Sequence, residues 1–298
     1  MAKGDYGKRN FFIRYFLVIK CLRNRKKATF NEIREFIAAE TAILDKEFIY
    51  EIRTFQRDLN DIRCLFGIDI KINRLTHEYT IVESETDHFN TRILESFDIF
   101  NLLSSSQDFS QYISLERKCK QGTEYLHGLL YAINNRFKVS VLYKKYYEQN
   151  AEKCELLPLA LKEFKARWYL IAARGSYTTI RTYALDRIQK LIIQPEKYIR
   201  PQSFDVNVFF KDCFGIIRPE DDDPYEIILS FDPFQGNYLK SYPLHTSQEI
   251  LIDNNKEFRI KLFVFITYDL MMELLSFGNT VRIHSPLKLK KEIRKMTM

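Results

Sequence analysis

The stretch PLALKEFKARWYLIAAR, residues 158–174, decides how the middle of this chain folds. It holds the single tryptophan of the chain, Trp168, within a run of apolar and aromatic side chains that is typical of a half-buried strand. Alternate residues of a strand face opposite sides. We therefore predict that Trp168 and Leu170 lie in a core and that Tyr169 lies on the other face.

Strand-like alternation continues on both sides of this stretch, starting with Val139, Val141 and Tyr143. Five short strands within about 60 residues favour a small closed barrel. We place this barrel domain at residues 137–205. The strands are predicted at residues 137–147, 153–162, 167–174, 178–183 and 188–194.

Three segments together resemble the WYL domain: Trp168-Tyr169-Leu170, the upstream Pro158-Leu159 and the downstream Asp186-Arg187-Ile188. The resemblance implies a small Sm-like or SH3-like β-barrel that serves as a sensor in bacterial transcription regulators. It also implies a pocket of basic and tyrosine side chains. The candidates for ligand contact are Tyr143, Tyr169, Arg174, Arg181 and Arg187.

Arginine charge combined with tyrosine stacking suits an anionic ligand, either a nucleotide or single-stranded nucleic acid. The alternative for Arg187 is an ion pair with Asp186 or a role in capping a carbonyl group.

The first 82 residues show three helical patterns followed by a strand pattern. Apolar side chains at helical spacing predict a helix over residues 10–25 and a second helix after Thr29, which has capping-box spacing to Glu32. A third helix is predicted from about Lys46 to Phe66. Beyond Gly67 the period changes to two, which predicts a hairpin. Three helices and a hairpin indicate a winged helix-turn-helix over residues 1–82.

Residues 51–59, EIRTFQRDL, are similar to the recognition helix of DeoR-type regulators, with Glu51 where that family usually has serine. The resemblance implies contacts with DNA bases, and basic side chains on flanking segments suit phosphate. The alternative is that Arg53 and Arg57 pair with Asp61 and Asp58 on a solvated helix. The DNA-binding candidates are Arg53, Thr54, Gln56, Arg57, Lys26, Lys27 and Arg74.

Two further parts complete the predicted α+β multidomain chain. Residues 83–136 lack strand alternation and are predicted to be a helical linker, with helices at 92–103 and 123–135. Residues 221–298 are predicted to be an α+β domain that resembles the C-terminal extension following WYL domains. The resemblance implies a role in dimer contacts, so we expect a homodimer.

Charge is uneven along the chain, whose formal net charge is +7. Residues 1–80 and 111–200 carry +5 and +9, whereas residues 81–110 and 201–298 carry −5 and −2. Basic blocks attract polyanions, although a solvated basic surface would give the same counts.

No motif for catalysis, a cofactor or a metal stands out. The five cysteines and five histidines are scattered, without metal-ligand spacing, and no phosphate-binding glycine loop or nucleophile elbow occurs. We expect no enzyme activity, no cofactor and no metal. No apolar stretch approaches the roughly 18 residues of a membrane span, so we expect no membrane partner and a cytoplasmic location.

These patterns favour a ligand-responsive, sequence-specific transcription regulator that binds double-stranded operator DNA. The first alternative is an RNA- or single-stranded-DNA-binding factor whose main interface is the barrel. A nucleic-acid processing enzyme is a weaker alternative, because its catalytic residues are missing.

Overall fold

The computed structural model describes residues 5–42, 50–82, 96, 122–201 and 203–297. Contacts divide the chain into two compact units, residues 1–116 and 117–298. Among the described residues, no helix is both long enough and apolar enough to cross a membrane.

The first unit contains three helices and a small sheet in its described part. The helices are α1 (Asp5–Arg25), α2 (Phe30–Ala42) and α3 (Ile52–Phe66), and the strands are β1 (Lys27–Thr29), β2 (Ile70–Ile72) and β3 (Glu78–Ile81). The sheet order is β1-β3-β2, and β2 and β3 form the expected antiparallel hairpin. The predicted helices and hairpin are thus present in the predicted order.

The capping box at the start of α2 forms as predicted. The Thr29 amide donates to Oε2 of Glu32 at 2.7 Å, and the Glu32 amide donates to Oγ1 of Thr29 at 3.4 Å. The hydrogen bonds that the Thr29 amide and hydroxyl donate to the Glu32 carboxyl lower the pKa of that carboxyl. The box satisfies two amides that would otherwise lack partners at the helix start.

Helix α3 begins at Ile52, so the predicted start near Lys46 is wrong. Glu51 is the N-cap in an extended conformation, with φ −99° and ψ 153°, and its side chain makes no capping hydrogen bond. The preceding Tyr50 is only 4% exposed and joins the core, which holds the chain outside the helix. At the other end Gly67 adopts φ 66° and donates to the carbonyl of Arg63, as a C-cap does.

The described part of the second unit begins with a helix on a five-stranded antiparallel sheet. A 3-10 turn (Thr123–Tyr125) leads into α4 (Leu126–Asn135). The rest of the predicted linker lies outside the described residues, except for Ser96. The five strands are β4 (Phe137–Tyr143), β5 (Glu152–Phe164), β6 (Arg167–Arg174), β7 (Ser176–Ala184) and β8 (Ile188–Lys197).

The five predicted strands are found, but the closed barrel is not. The sheet order is β7-β6-β5-β4-β8, and the edge strands β7 and β8 form no ladder with each other in the described part of the chain. A 3-10 turn, Leu185–Arg187, follows β7. The next strand, β8, then pairs with β4 and forms the opposite edge of the sheet. The result is an open sheet.

Strand β5 belongs to both halves of this sheet. Its first residues pair with β4 and its later residues with β6, with a register shift between Pro158 and Ala160. A proline has no amide to donate to a ladder, and a shift of this kind bends a strand.

Both faces of the sheet are covered, so Tyr169 lies on the face that was predicted for it but is buried there rather than open to a ligand. Leu170 is fully buried on one face, where α4 packs and Trp168 is partly buried. On the other face Tyr169 is 9% exposed and packs against Phe210 and Cys213. These two residues follow the short helix α5 (Val206–Phe209), a segment for which the sequence predicted no structure.

The C-terminal part is a second sheet with three helices. Its elements are β9 (Tyr225–Phe231), α6 (Pro233–Ser241), β10 (Glu249–Asp253), β11 (Phe258–Val264), α7 (Tyr268–Ser276), β12 (Val281–Ser285) and α8 (Leu287–Thr297). The strands are antiparallel in the order β10-β11-β9-β12. This is the predicted α+β composition.

Candidate functional site

The outer face of α3 is polar and basic. Arg53, Gln56 and Arg57 are exposed, and Thr54 is half-buried. Residues three and four apart share one face of a helix, so these three exposed side chains form one row. The opposite face of the helix is buried through Phe55, Asp58 and Ile62.

The two carboxylates on α3 are engaged by other groups. Arg14 donates to both oxygens of Asp58 at 2.8 and 3.0 Å, and the Tyr50 hydroxyl donates to Asp58 at 2.9 Å. The Tyr15 hydroxyl donates to Asp61 at 2.7 Å. Burial, aided by the Asp58 charge, raises the pKa of Tyr50, so its phenol stays protonated and donates.

The alternative pairing of Arg53 and Arg57 with Asp61 and Asp58 is therefore wrong. Among the described residues neither arginine has a carboxylate partner, and the Arg57 guanidinium lies 5.8 Å from the ring centroid of Phe11. Both cationic groups are available to an anionic partner.

The residues predicted to contact phosphate differ in whether their charged groups are already paired. Lys26 and Arg74 are exposed, at the turn after α1 and at the β2–β3 turn. Lys27 is also exposed, but its Nζ pairs with Glu78 at 3.0 Å. Sequence reasoning missed Arg34, which lines a groove of about 660 Å³ together with Arg53. The available signal was its position, because Arg34 is a basic residue in the helix before the predicted recognition helix.

A second cluster lies on the five-stranded sheet, around two phenol rings that contact each other. The Tyr143 and Tyr183 rings meet edge to face with centroids 5.3 Å apart. The Tyr143 hydroxyl accepts from the Ala184 amide at 3.3 Å. Burial raises the pKa of Tyr143, and the nearby charge of Arg187 opposes that rise. Tyr143 is thus a buried member of the cluster that contacts Tyr183.

Arg187 is the most constrained cation of this cluster. Its guanidinium carbon lies 3.9 Å from the ring centroid of Tyr146, and its Nε is buried without a hydrogen-bond partner in the described residues. The ion pair with Asp186, which was the alternative role for Arg187, does not form. Asp186 instead lies 3.9 Å from Arg167 and accepts a bond from the Tyr146 hydroxyl at 3.3 Å.

Arg174 and Arg181 complete the cluster. Both are exposed, and Arg174 pairs with Glu152 at 2.6 Å. Burial raises the pKa of the Tyr183 phenol, and the charges of Arg181 and Arg174 partly offset that rise. Four of the five predicted ligand residues therefore lie at or near the Tyr143–Tyr183 pair, with Arg187 beside Tyr143 and with Arg174 and Arg181 near Tyr183. Tyr169 is buried on the other face.

Tyr146 and Tyr183 were missed by the sequence analysis. Tyr146 follows two lysines, Lys144 and Lys145, beyond the end of β4 at Tyr143. A basic and aromatic run at a strand end was the available signal, but the predicted strand was extended through it. In the described part of the chain, no group of side chains is suited to hold a metal ion.

Comparison with known proteins identifies two domains. Residues 124–193 match the sequence model of the WYL domain, and residues 223–297 match that of the WCX domain. The first match includes α4 as well as β4 to β7 and part of β8. A comparison with curated proteins gave no match.

Two solved structures are similar to this chain at low identity. Proteasome accessory factor B/C (PafBC) of Arthrobacter aurescens is 16% identical with a TM-score of 0.35; the match covers 95% of this chain and 45% of that one. A CRISPR Cas-related protein is 13% identical with a TM-score of 0.41, covering 96% and 84%. This chain therefore spans less than half the length of the PafBC chain. Likenesses this distant assign no function. The two domain matches show that residues 124–193 are similar to the WYL domain and that residues 223–297 are similar to the WCX domain.

Proposed function

We propose that this protein is a transcription regulator that binds double-stranded operator DNA sequence-specifically through a winged helix-turn-helix and responds to an anionic ligand at the WYL domain. The observation that carries the proposal is the row of Arg53, Gln56 and Arg57 on α3. The neighbouring carboxylates are held by α1, so they cannot neutralise these arginines.

The side chains on α3 suit the edges of bases. Arginine pairs with two acceptors of guanine, and glutamine pairs with adenine, both in the major groove. Lys26 and Arg74 would contact phosphates on either side, and Thr54 could add a contact near the helix start. Lys27 would first have to leave Glu78.

The test compares Arg53→Ala with wild type on an operator recovered by genome-wide DNA pull-down. We expect operator affinity to fall by about 1–3 kcal/mol, with relaxed base preference, because a bidentate base contact is lost. Arg282→Ala, an exposed arginine on β12, is the matched control. Unchanged operator affinity in a folded Arg53→Ala protein would show that α3 does not read the bases.

The flanking cations should behave differently. Lys26→Ala with Arg74→Ala should weaken binding to all sequences equally and reduce its salt dependence, because phosphate contacts release counterions without reading sequence. A change in base preference in this variant would contradict the assignment.

The ligand part of the proposal rests on the cluster around Tyr183. Arg174, Arg181 and Arg187 supply charge, and Tyr146 offers a ring that is 62% exposed. This composition suits a nucleotide or a short single strand, since arginine binds phosphate and a tyrosine ring stacks on a base.

The alternative, an RNA- or single-stranded-DNA-binding factor, draws support from the same aromatic groups. Tyr147 next to Tyr146 is fully exposed. Competition separates the two functions. The single-strand-binding function is supported if duplex operator displaces bound single strands and Arg187→Ala abolishes all nucleic-acid binding. The regulator function is supported if only Arg53→Ala weakens duplex binding.

We further propose that the protein acts in the cytoplasm as a homodimer, because one winged helix reads a half-site and paired half-sites match a two-fold protein. Sedimentation with and without micromolar operator tests this. A monomer under both conditions would contradict it.

A further inference from the structure

A cavity of about 500 Å³ lies in the second unit, and none of its lining residues belongs to the two sites described above. It is bounded by the turn between β5 and β6, by helix α6 with the loop after it, and by the end of α7. Its volume is within the range of about 300–1,000 Å³ that is typical of small-molecule sites.

Aromatic side chains form a large part of the cavity wall, beside Leu239, Pro243 and Leu244. Phe164, Phe214 and Phe277 line it, and the rings of Phe164 and Phe214 meet edge to face with centroids 5.8 Å apart. The rim carries Tyr238 and Tyr242, which are 57% and 84% exposed. Rings presented to solvent around an apolar interior can stack on a planar ligand.

Charge at the cavity is balanced. Among the residues that the structure describes, Lys165 and Glu273 are the only charged ones that line it, and Lys165 Nζ lies 2.6 Å from Glu273 Oε2. The pair leaves no net charge for an ionic ligand. The side-chain amide of Gln235 lines the cavity and makes no hydrogen bond within the described residues, so a donor and an acceptor are available.

The cavity walls are fixed by packing and hydrogen bonds. Helix α6 lies directly on Phe258 at Gly236, where a Cβ would come within 2.6 Å of that side chain. Gln248 holds the rim loop, because its Nε2 donates to the Leu239 carbonyl at 2.9 Å and its Oε1 accepts from the Leu244 amide at 3.0 Å. A ligand would therefore meet a preformed site, which reduces the entropy lost on binding.

We propose that this cavity binds a small, uncharged, planar aromatic molecule that carries hydrogen-bonding groups. Its rings stack against the aromatic walls and its polar edge meets Gln235. Nucleosides and non-nucleoside heteroaromatic compounds such as indoles share this chemistry. The site is separate from the arginine and tyrosine cluster of the WYL domain, so the proposal stands whether or not the protein binds DNA.

Ligand-detected NMR and calorimetry on the full-length protein test the proposal. The probes are adenosine, guanosine, cytidine, uridine, indole and 4-hydroxybenzamide, with cyclohexanol as a non-aromatic control. At least one aromatic probe should bind and cyclohexanol should not. Binding by nucleosides alone, or by the other aromatics alone, would identify the source of the ligand.

The double variant Tyr238→Ala with Tyr242→Ala should weaken binding about tenfold, as expected when aromatic stacking is lost. Tyr268→Ala is the matched control, because Tyr268 is also 57% exposed in this part of the chain and does not line the cavity. Absence of binding by every aromatic probe at millimolar concentration overturns the proposal. So does equal binding by the wild type and the double variant.

Discussion

Asp58 shows how one residue of α3 supports the fold while its neighbours face solvent. It is fully buried and receives hydrogen bonds from Arg14 and Tyr50, so it joins α1 and α3. Arg57, one position earlier, faces outward. The two adjacent charges of the Arg57-Asp58 pair therefore have different roles.

Replacing Asp58 with alanine should destabilise the first unit by about 3–5 kcal/mol, because the charge of Arg14 would remain buried without its partner. Urea unfolding measures the change. Arg57→Ala is the control and should leave the free energy of unfolding within about 0.5 kcal/mol of wild type, as is usual for exposed positions. Equal stability of the two variants would contradict the conclusion that Asp58 stabilises the contact between α1 and α3.

At the scale of elements, local patterns predicted most helices and strands but not what covers them. The alternation around Trp168 correctly predicted strand β6 and the burial of Leu170. It could not show that Phe210 and Cys213, some 40 residues later, cover Tyr169. Nor could it show that the sheet stays open, since closure depends on pairing between strands at its two edges.

The start of α3 was misjudged for a similar reason. Helical spacing around Phe48 and Ile52 extends the pattern upstream, but the Tyr50 side chain is drawn into the core and bonds to Asp58. Tertiary contacts override local propensity in such cases. The missed helix α6, by contrast, had a sequence signal: Asp232 caps the Gln235 amide at 2.8 Å, and Pro233 follows it in the first turn.

Helix α6 gives a prediction in which packing outweighs helix propensity. Alanine for glycine within a helix ordinarily stabilises by about 0.5–1 kcal/mol. At Gly236 the added Cβ would meet Phe258 Cβ and Cγ at 2.6 Å. Gly236→Ala should therefore destabilise the protein, by about 1–3 kcal/mol as overpacking does.

Thermal unfolding measures the effect of Gly236→Ala, with Asn237→Ala as the control on the exposed side of the same helix. The control should be neutral or slightly stabilising. A higher melting temperature for Gly236→Ala would mean that α6 does not lie directly on Phe258.

At the scale of the whole molecule, the proposed regulator has two sites for anions in two separately packed units. If the cluster around Tyr183 controls DNA binding, ligand and operator must affect each other equally, because a coupling free energy is reciprocal. Couplings of this kind are typically about 1–3 kcal/mol. Nucleotides and short single-stranded oligonucleotides are the ligands to test.

The double variant Arg181→Ala with Arg187→Ala should keep operator affinity nearly unchanged and lose the ligand response, because neither arginine lies in the unit that contains α3. Operator titrations with and without ligand, and ligand calorimetry with and without operator, measure both sides of the coupling. Arg282→Ala again serves as the control. If no such ligand binds and the double variant regulates normally in cells, the WYL domain serves as a structural spacer. If the double variant instead loses operator affinity without any ligand, the cluster belongs to the DNA interface itself, as the single-strand alternative requires.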